Sequence, residues 1–127
     1  MTSGYSGTPL PAKLGVKTGG RVLLDGAPDD LPVDGHHRPG REPYDVVLLF
    51  APDAARLSAR WPALAPRVTT AGRLWVCWPK KSSGVPTDLT ENAVRDFGLA
   101  QGLVDVKVCA IDATWSGLAF VRRVKDR

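Results

Sequence analysis

One stretch, Tyr44-Asp45-Val46-Val47-Leu48-Leu49-Phe50, constrains this chain more than any other. Its apolar residues run almost without a break instead of alternating. A strand of that kind has both faces covered, which is the habit of parallel sheets flanked by helices. The chain around it should therefore alternate strands with helical crossovers.

The flanking sequence supplies those elements. Pro9 and Pro11 suit the first turn of a short helix reaching Leu14, with Gly15 as its stop. Lys17-Thr18-Gly19-Gly20 reads as a turn, and Arg21 to Asp25 as a short strand ended by Gly26 and Pro28. Residues 28–43 carry no periodicity and read as a loop, with one helical turn near 29–33. Asp53 is placed to cap a helix whose stripe is Ala54, Leu57, Trp61, Leu64 and Val68. Pro62 and Pro66 predict a kink near Trp61 or an early end. Leu74 to Trp78 is the next strand. Asp88 and Thr90 are candidate caps for a helix from about Leu89 to Gln101, burying Leu89, Ala93, Val94, Phe97 and Ala100. Val104 to Ile111 and Leu118 to Val124 close the chain as strands. The turn between them, Thr114 to Gly117, is too short for a parallel crossover, so these two form an antiparallel hairpin.

The length of 127 residues fits a single α/β domain over 1–127, with 1–8 as a flexible arm. No apolar run reaches the roughly 18 residues that span a bilayer. The N-terminus lacks the basic-then-apolar order of a secretion signal, so a cytoplasmic protein is expected. The net charge of +4 is spread among mixed signs, which argues against a nucleic-acid binder. Arg56 and Arg60, four apart, read as neighbours on a solubilising helix face. Cys77 and Cys109 lie far apart in apolar runs and read as reduced, unbridged thiols.

Three segments carry a resemblance: AKLGVKTGGRVLLDGAP, YDVVLLF, and WPKKSSGVPTDLTENAVRDFGLAQGLVDVKVCAIDATWSGLAFVRR. With YSGTPL near the start, they resemble a small bacterial family, domain of unknown function thirty fifty-two. That resemblance implies no biochemical activity. Lys17 to Leu24, Gly72 to Trp78 and Leu103 to Arg123 are also similar to the plan of class I methyltransferases that use S-adenosylmethionine. This likeness implies a reduced Rossmann-like sheet, mainly parallel, with a C-terminal antiparallel hairpin. It also implies that the last strand inserts beside Leu74–Trp78, leaving Val104–Ile111 at the edge. The chain departs from the plan where the cofactor binds. Asp25-Gly26-Ala27-Pro28 has one glycine before its proline, and residues 29–43 leave no room for a second strand–helix unit.

Ligands of open α/β sheets bind beyond the carboxyl ends of the strands. The candidates there are Asp25 and Gly26 after the first strand, then Lys80, Lys81, Ser82, Ser83 and Thr87 after the third. Trp115 in the hairpin turn joins them. Two ammoniums, several hydroxyls and a helix start could cradle an anion, although Asp88 would compete with it. Trp115 could instead plug the core. Asp25, Asp53 and Asp112 could cluster at the same edge, but Asp53 as a cap and Asp112 as a turn residue explain themselves more simply. Adjacent His36 and His37 diverge and have no partner at metal-site spacing, so no metal is expected. No catalytic set converges. The expectation is a non-catalytic binding or regulatory module without a cofactor. Three alternatives remain open: a binder or enzyme acting on an anionic nucleotide-like or S-adenosylmethionine-like molecule, a nucleic-acid-associated protein, and a homodimer through the edge strand.

Overall fold

The computed structural model describes residues 8–127, so the arm expected over 1–8 lies, Thr8 excepted, outside the described residues. The apolar run forms β2 (Tyr44–Phe50), in which Asp45 alone is exposed. Beside it lie β1 (Val22–Asp25) and β3 (Val68–Pro79), both parallel to it; Leu23 faces Val47 and Leu48 faces Trp75. β5 (Trp115–Arg122) runs antiparallel to β3, and β4 (Leu103–Ala110) antiparallel to β5. The order is β1-β2-β3-β5-β4. The sheet is therefore mixed, parallel at one end and antiparallel at the other, and not mainly parallel. The last strand lies beside β3, where the methyltransferase plan puts it.

Each face of the sheet has its own core. On one, α2 (Ala54–Leu64) and α3 (Glu91–Ala100) bring Leu57, Trp61, Leu64 and Val94 onto Val47, Leu74, Leu118 and Phe120. The other is covered by the short α1 (Leu10–Leu14), by Leu31 and Val33 of the loop after β1, and by Trp115. Asp53 caps α2, accepting from the Arg56 N–H at 2.9 Å. Asp88 reaches back from the loop before α3 to accept from the Ala54 N–H at 2.8 Å. Two carboxylates thus serve one helix start. α2 continues past Pro62 to Leu64, so of the two outcomes expected from the prolines, a kink near Trp61 or an early end, the early end does not occur. Trp61 sets its ring edge-on to Phe97 and Phe120, and that packing outweighs the bond that a proline removes.

Other expectations are corrected by packing that leaves no trace in local pattern. α3 presents Val94 and Gly98 to the sheet while Ala93 and Ala100 are exposed. A Cβ at Gly98 would collide with the Phe120 ring, so the helix sits on the sheet at a glycine. β3 begins at Val68, not Leu74. Its register with β2 jumps from Tyr44↔Val68 to Val46↔Arg73, which leaves residues 69–72 opposite Asp45 alone. Gly72 is required inside this bulge, because a Cβ would stand 2.7 Å from the Asp45 carbonyl oxygen. β4 carries a bulge. Its register shifts between Asp105 and Lys107, exposing Val106 and Val108 while Cys109 is buried. Residues 29–33 form a turn and no helix. Beyond them His36 bridges the outer edge of β1, accepting from the Leu24 N–H at 2.7 Å and donating to the Val22 carbonyl at 2.8 Å. Among the described residues no helix is long and apolar enough to cross a membrane.

Replacing Gly98 by Ala should lower the unfolding free energy by about 1–3 kcal/mol, because a fully buried ring must move to admit one methyl group. Urea denaturation of the variant checks this. Unchanged stability would mean that α3 can lift off β5 freely.

Candidate functional site

At the carboxyl end of β1 the Asp25 side chain is largely buried, and two arginines of α2 converge on it. Arg60 engages both carboxylate oxygens, Nε to Oδ2 and Nη2 to Oδ1, each at 3.1 Å. Arg56 adds Nη2 to Oδ2 at 3.1 Å and Nε to the Phe50 carbonyl at 3.3 Å. Helical spacing brings both guanidiniums to Asp25, because residues four apart share a face. The expected solubilising pair is therefore a clamp on Asp25. Local pattern hid it, since the partner lies 31 residues upstream of Arg56 and 35 upstream of Arg60. Gly26 follows with φ +72°, and a Cβ there would meet Arg56 Nη2 at 3.1 Å and the Phe50 carbonyl oxygen at 3.2 Å. The space beside this glycine is occupied by the protein's own guanidinium.

The other half of the expected site lies two strands away, beyond the end of β3. Lys80 donates its backbone N–H to the Thr114 carbonyl at 2.8 Å. Residues 81–83 form a single 3-10 turn that closes on Gly84, with φ +75°. Ser83 Oγ donates to the Lys80 carbonyl and accepts from the Val85 N–H, at 2.7 and 3.1 Å. Thr87 Oγ1 accepts from the Leu89 N–H at 3.1 Å, and Thr90 caps α3 at the Ala93 N–H. The hydroxyls of Ser83 and Thr87 thus hold their own turns. Lys81 and Ser82 are exposed, and Lys80 is half-buried. Asp88 stands on α2 and not on the helix start behind it. The structure consequently gathers Lys80 to Ser83 in one turn, and Asp25 and Gly26 with Arg56, but does not join the two groups.

Trp115 is the first residue of β5 and not a turn residue. Its half-buried ring meets Phe50 edge-on, with centroids 5.2 Å apart. Asp112 Oδ1 fixes the turn before it by accepting the N–H groups of Thr114 and Trp115, both at 2.8 Å. His36 Nδ1 lies 2.8 Å from the Tyr44 hydroxyl, which also accepts from the Gly40 N–H. Cys77 and Cys109 flank the same residue, Gly117, from β3 and β4, and both are free thiols. Burial pushes the Cys77 thiol well above its ordinary range, and the neighbouring Cys109 and Asp112 push the same way. Burial also raises Cys109, less strongly, against the opposing pull of Lys13 and Lys107.

A feature that sequence reasoning missed lies at the opposite end of the strands. A groove of about 490 Å³ is lined by the turn after α1, by Asp45, and by Gly72 and Arg73 of the β3 bulge. The register jump at Asp45 opens it. The available signal was the concentration of glycines at 15, 19, 20 and 72 around Lys17 and Arg73.

No family model matches the chain, and no curated protein matches it, so the resemblance to the bacterial family rests on its sequence words alone. Solved structures do match. LepI in complex with SAM superposes with a TM-score of 0.52 at 14% identity, over 90% of this chain and 39% of that one. LepI in complex with SAH and a substrate analogue gives 0.54 at 14%, with the same coverage, 90% and 39%. A ribosomal protein L11 methylase from Lactobacillus delbrueckii subsp. bulgaricus gives 0.44 at 17%, over 65% of this chain and 38% of its own. The chain thus spans about two fifths of the length of these proteins. At such identities the likeness to the two LepI structures shows the fold, a methyltransferase-like α/β sheet, and nothing of the chemistry.

Asp25→Asn should cost about 1–2 kcal/mol in chemical denaturation, discounted because both arginines are partly exposed. Combined with Arg60→Gln in a double-mutant cycle, the two losses should fall clearly short of additive. For the thiols, iodoacetamide at pH 8 should modify both slowly in the folded protein, because both are buried, and Cys77, the more deeply buried, only as fast as the chain opens. Unfolded thiols ionise at lower pH than Cys77 in the fold. Stability should accordingly decline as pH rises above the ordinary thiol value of about 8.5, measured as urea midpoints across that range.

Proposed function

We propose that this chain is a non-catalytic binding or regulatory module built on a methyltransferase-like sheet, and that it does not hold S-adenosylmethionine at the end of β1. The observation that carries the reading is the Arg56 guanidinium beside Gly26, tied to Asp25 and to the Phe50 carbonyl. A cofactor in this kind of sheet needs the backbone after the first strand to be open, so that its atoms can approach a glycine turn closely. Here admission of a ligand would first break the Arg56 bonds and leave a buried carboxylate with half its partners. The two loops that end β1 and β3 also supply no base or nucleophile held against a second reacting group.

Isothermal titration of the full chain with S-adenosylmethionine tests the reading. No saturable heat is expected up to millimolar ligand. Saturable heat that vanishes in Gly26→Val would overturn it and establish the carboxyl edge as a cofactor site. A second reading, an anionic small molecule at Lys80, Lys81 and Ser82, draws on the absence of any acidic partner for those two ammoniums among the described residues. Under that reading, changing both lysines to Ala abolishes binding of the anion and leaves the melting temperature within about 2 °C.

A further inference from the structure

The half-buried arginines of this fold share one property, with a single exception. Arg21, Arg56, Arg60, Arg67, Arg95, Arg122 and Arg123 each donate from the guanidinium to a carboxylate or a carbonyl. Arg73 is equally half-buried and donates to nothing among the described residues. Its stem is not loose. Cδ, Nε and Nη1 all lie 3.6 Å from the point where a Cβ on Gly15 would stand, so the guanidinium lies along the backbone at the end of α1. A guanidinium is a rigid fork of donors whose natural complement is a carboxylate or phosphate, and a partly desolvated one without an acceptor is costly to keep.

The surroundings point the same way. Arg73 lines the groove of about 490 Å³ at the amino ends of the parallel strands. Opposite it stands the turn Lys17–Gly20, closed by the Gly20 N–H donating to the Lys17 carbonyl at 2.9 Å, with Gly19 at φ +79°. The backbone N–H groups of Thr18 and Gly19 have no acceptor among the described residues, and neither has the Lys17 ammonium. The one carboxylate in the groove, Asp45, already accepts from the Arg21 N–H at 2.9 Å through Oδ2. The unpartnered Arg73 guanidinium, the Lys17 ammonium and two free N–H groups therefore border one recess with a single, engaged carboxylate. Its volume lies within the roughly 300–1,000 Å³ of small-molecule pockets, well above what one inorganic ion fills.

We propose that this groove binds the phosphate group of a small phosphomonoester, with the Arg73 fork and Lys17 on the phosphate oxygens and the glycine turn as a backbone contact. This deepens the reading of the chain as a binding module and rests on it, by naming a ligand class and a place away from the carboxyl edge. Lys17 to Gly20 lie at the end of the parallel strands opposite to Gly26 and Lys80, so the two readings fail separately. Saturable S-adenosylmethionine binding would sink the earlier one only.

Amide shifts of the isotopically labelled full chain test the proposal. Inorganic phosphate and ribose 5-phosphate are each titrated against sodium chloride at equal ionic strength. Saturable shifts are expected at Thr18, Gly19 and Gly20, with the ester binding more tightly than phosphate. Arg73→Gln should weaken the ester at least tenfold without lowering the melting temperature. If that variant does not fold, Lys17→Ala should weaken the ester about threefold. The proposal is overturned by shifts that track ionic strength alone, by shifts confined to Lys80–Gly84, by an ester no tighter than phosphate, or by undiminished affinity in the folded variant.

Discussion

The indole N–H of Trp75 donates to the Leu14 carbonyl at 2.9 Å, and a whole face of the sheet is arranged by that bond. Trp75 lies in the middle of β3, within a run of six buried residues from Leu74 to Pro79. Its ring is fully buried, so its one donor must find an acceptor inside the protein. The end of a five-residue helix supplies it. α1 is too short to be stable by itself. It persists because Leu14 is buried and its carbonyl is engaged, and because Gly15, at φ +85°, turns the chain away in the left-handed region. Where the chain turns is where Arg73 runs alongside Gly15. The amino-end groove is thus an outgrowth of satisfying one buried indole.

Arginine–carboxylate contacts do the matching job on the other face. α2 is tied to β1 through Asp25, and α3 is tied to β4 through Asp105, whose Oδ2 accepts from Arg95 Nε at 2.9 Å while Glu91 takes Nη2 at 2.7 Å. Each helix buries only a few large side chains, so a charged clasp at one end limits how it can slide along the sheet. The clasp at Asp25 also holds the Arg56 guanidinium beside Gly26, at the exposed end of β1.

The sequence was most legible where burial shows in composition. β2 has the bounds read from its apolar run, α1 stops at Gly15, Asp53 and Thr90 cap their helices, and the final hairpin is antiparallel. Most of the differences have long-range causes. Ala93 and Ala100 looked buried because glycine carries no hydrophobic signal, yet the close approach of Gly98 to Phe120 sets the rotation of α3. The exposure of Val106 and Val108 follows from a one-residue bulge, which cannot be seen in an alternating pattern. β3 looked short because its first half is polar and pairs with β2 across a bulge. At the candidate site, Asp25 and Gly26 were singled out as residues, but the partners that define them, Arg56 and Arg60, were assigned to solvent. Ser83 and Thr87 were read as ligand groups because hydroxyls that brace a turn look identical in sequence to hydroxyls that face a ligand.

β5 sits between β3 and β4, although it is made after both. Until residues 115–122 leave the ribosome, the inner edge of β3 has no neighbour and β4 has nothing to pair with. The order of synthesis and the order of the sheet therefore run against each other. While residues 80–122 are being made, the growing chain carries an apolar strand with an unfilled edge, the kind of edge that recruits other strands. β5 closes the sheet by pairing back to β3, and non-local pairing of that kind is slow by its topology. For this protein the vulnerable moment is during its manufacture, before its final hairpin can seal the sheet.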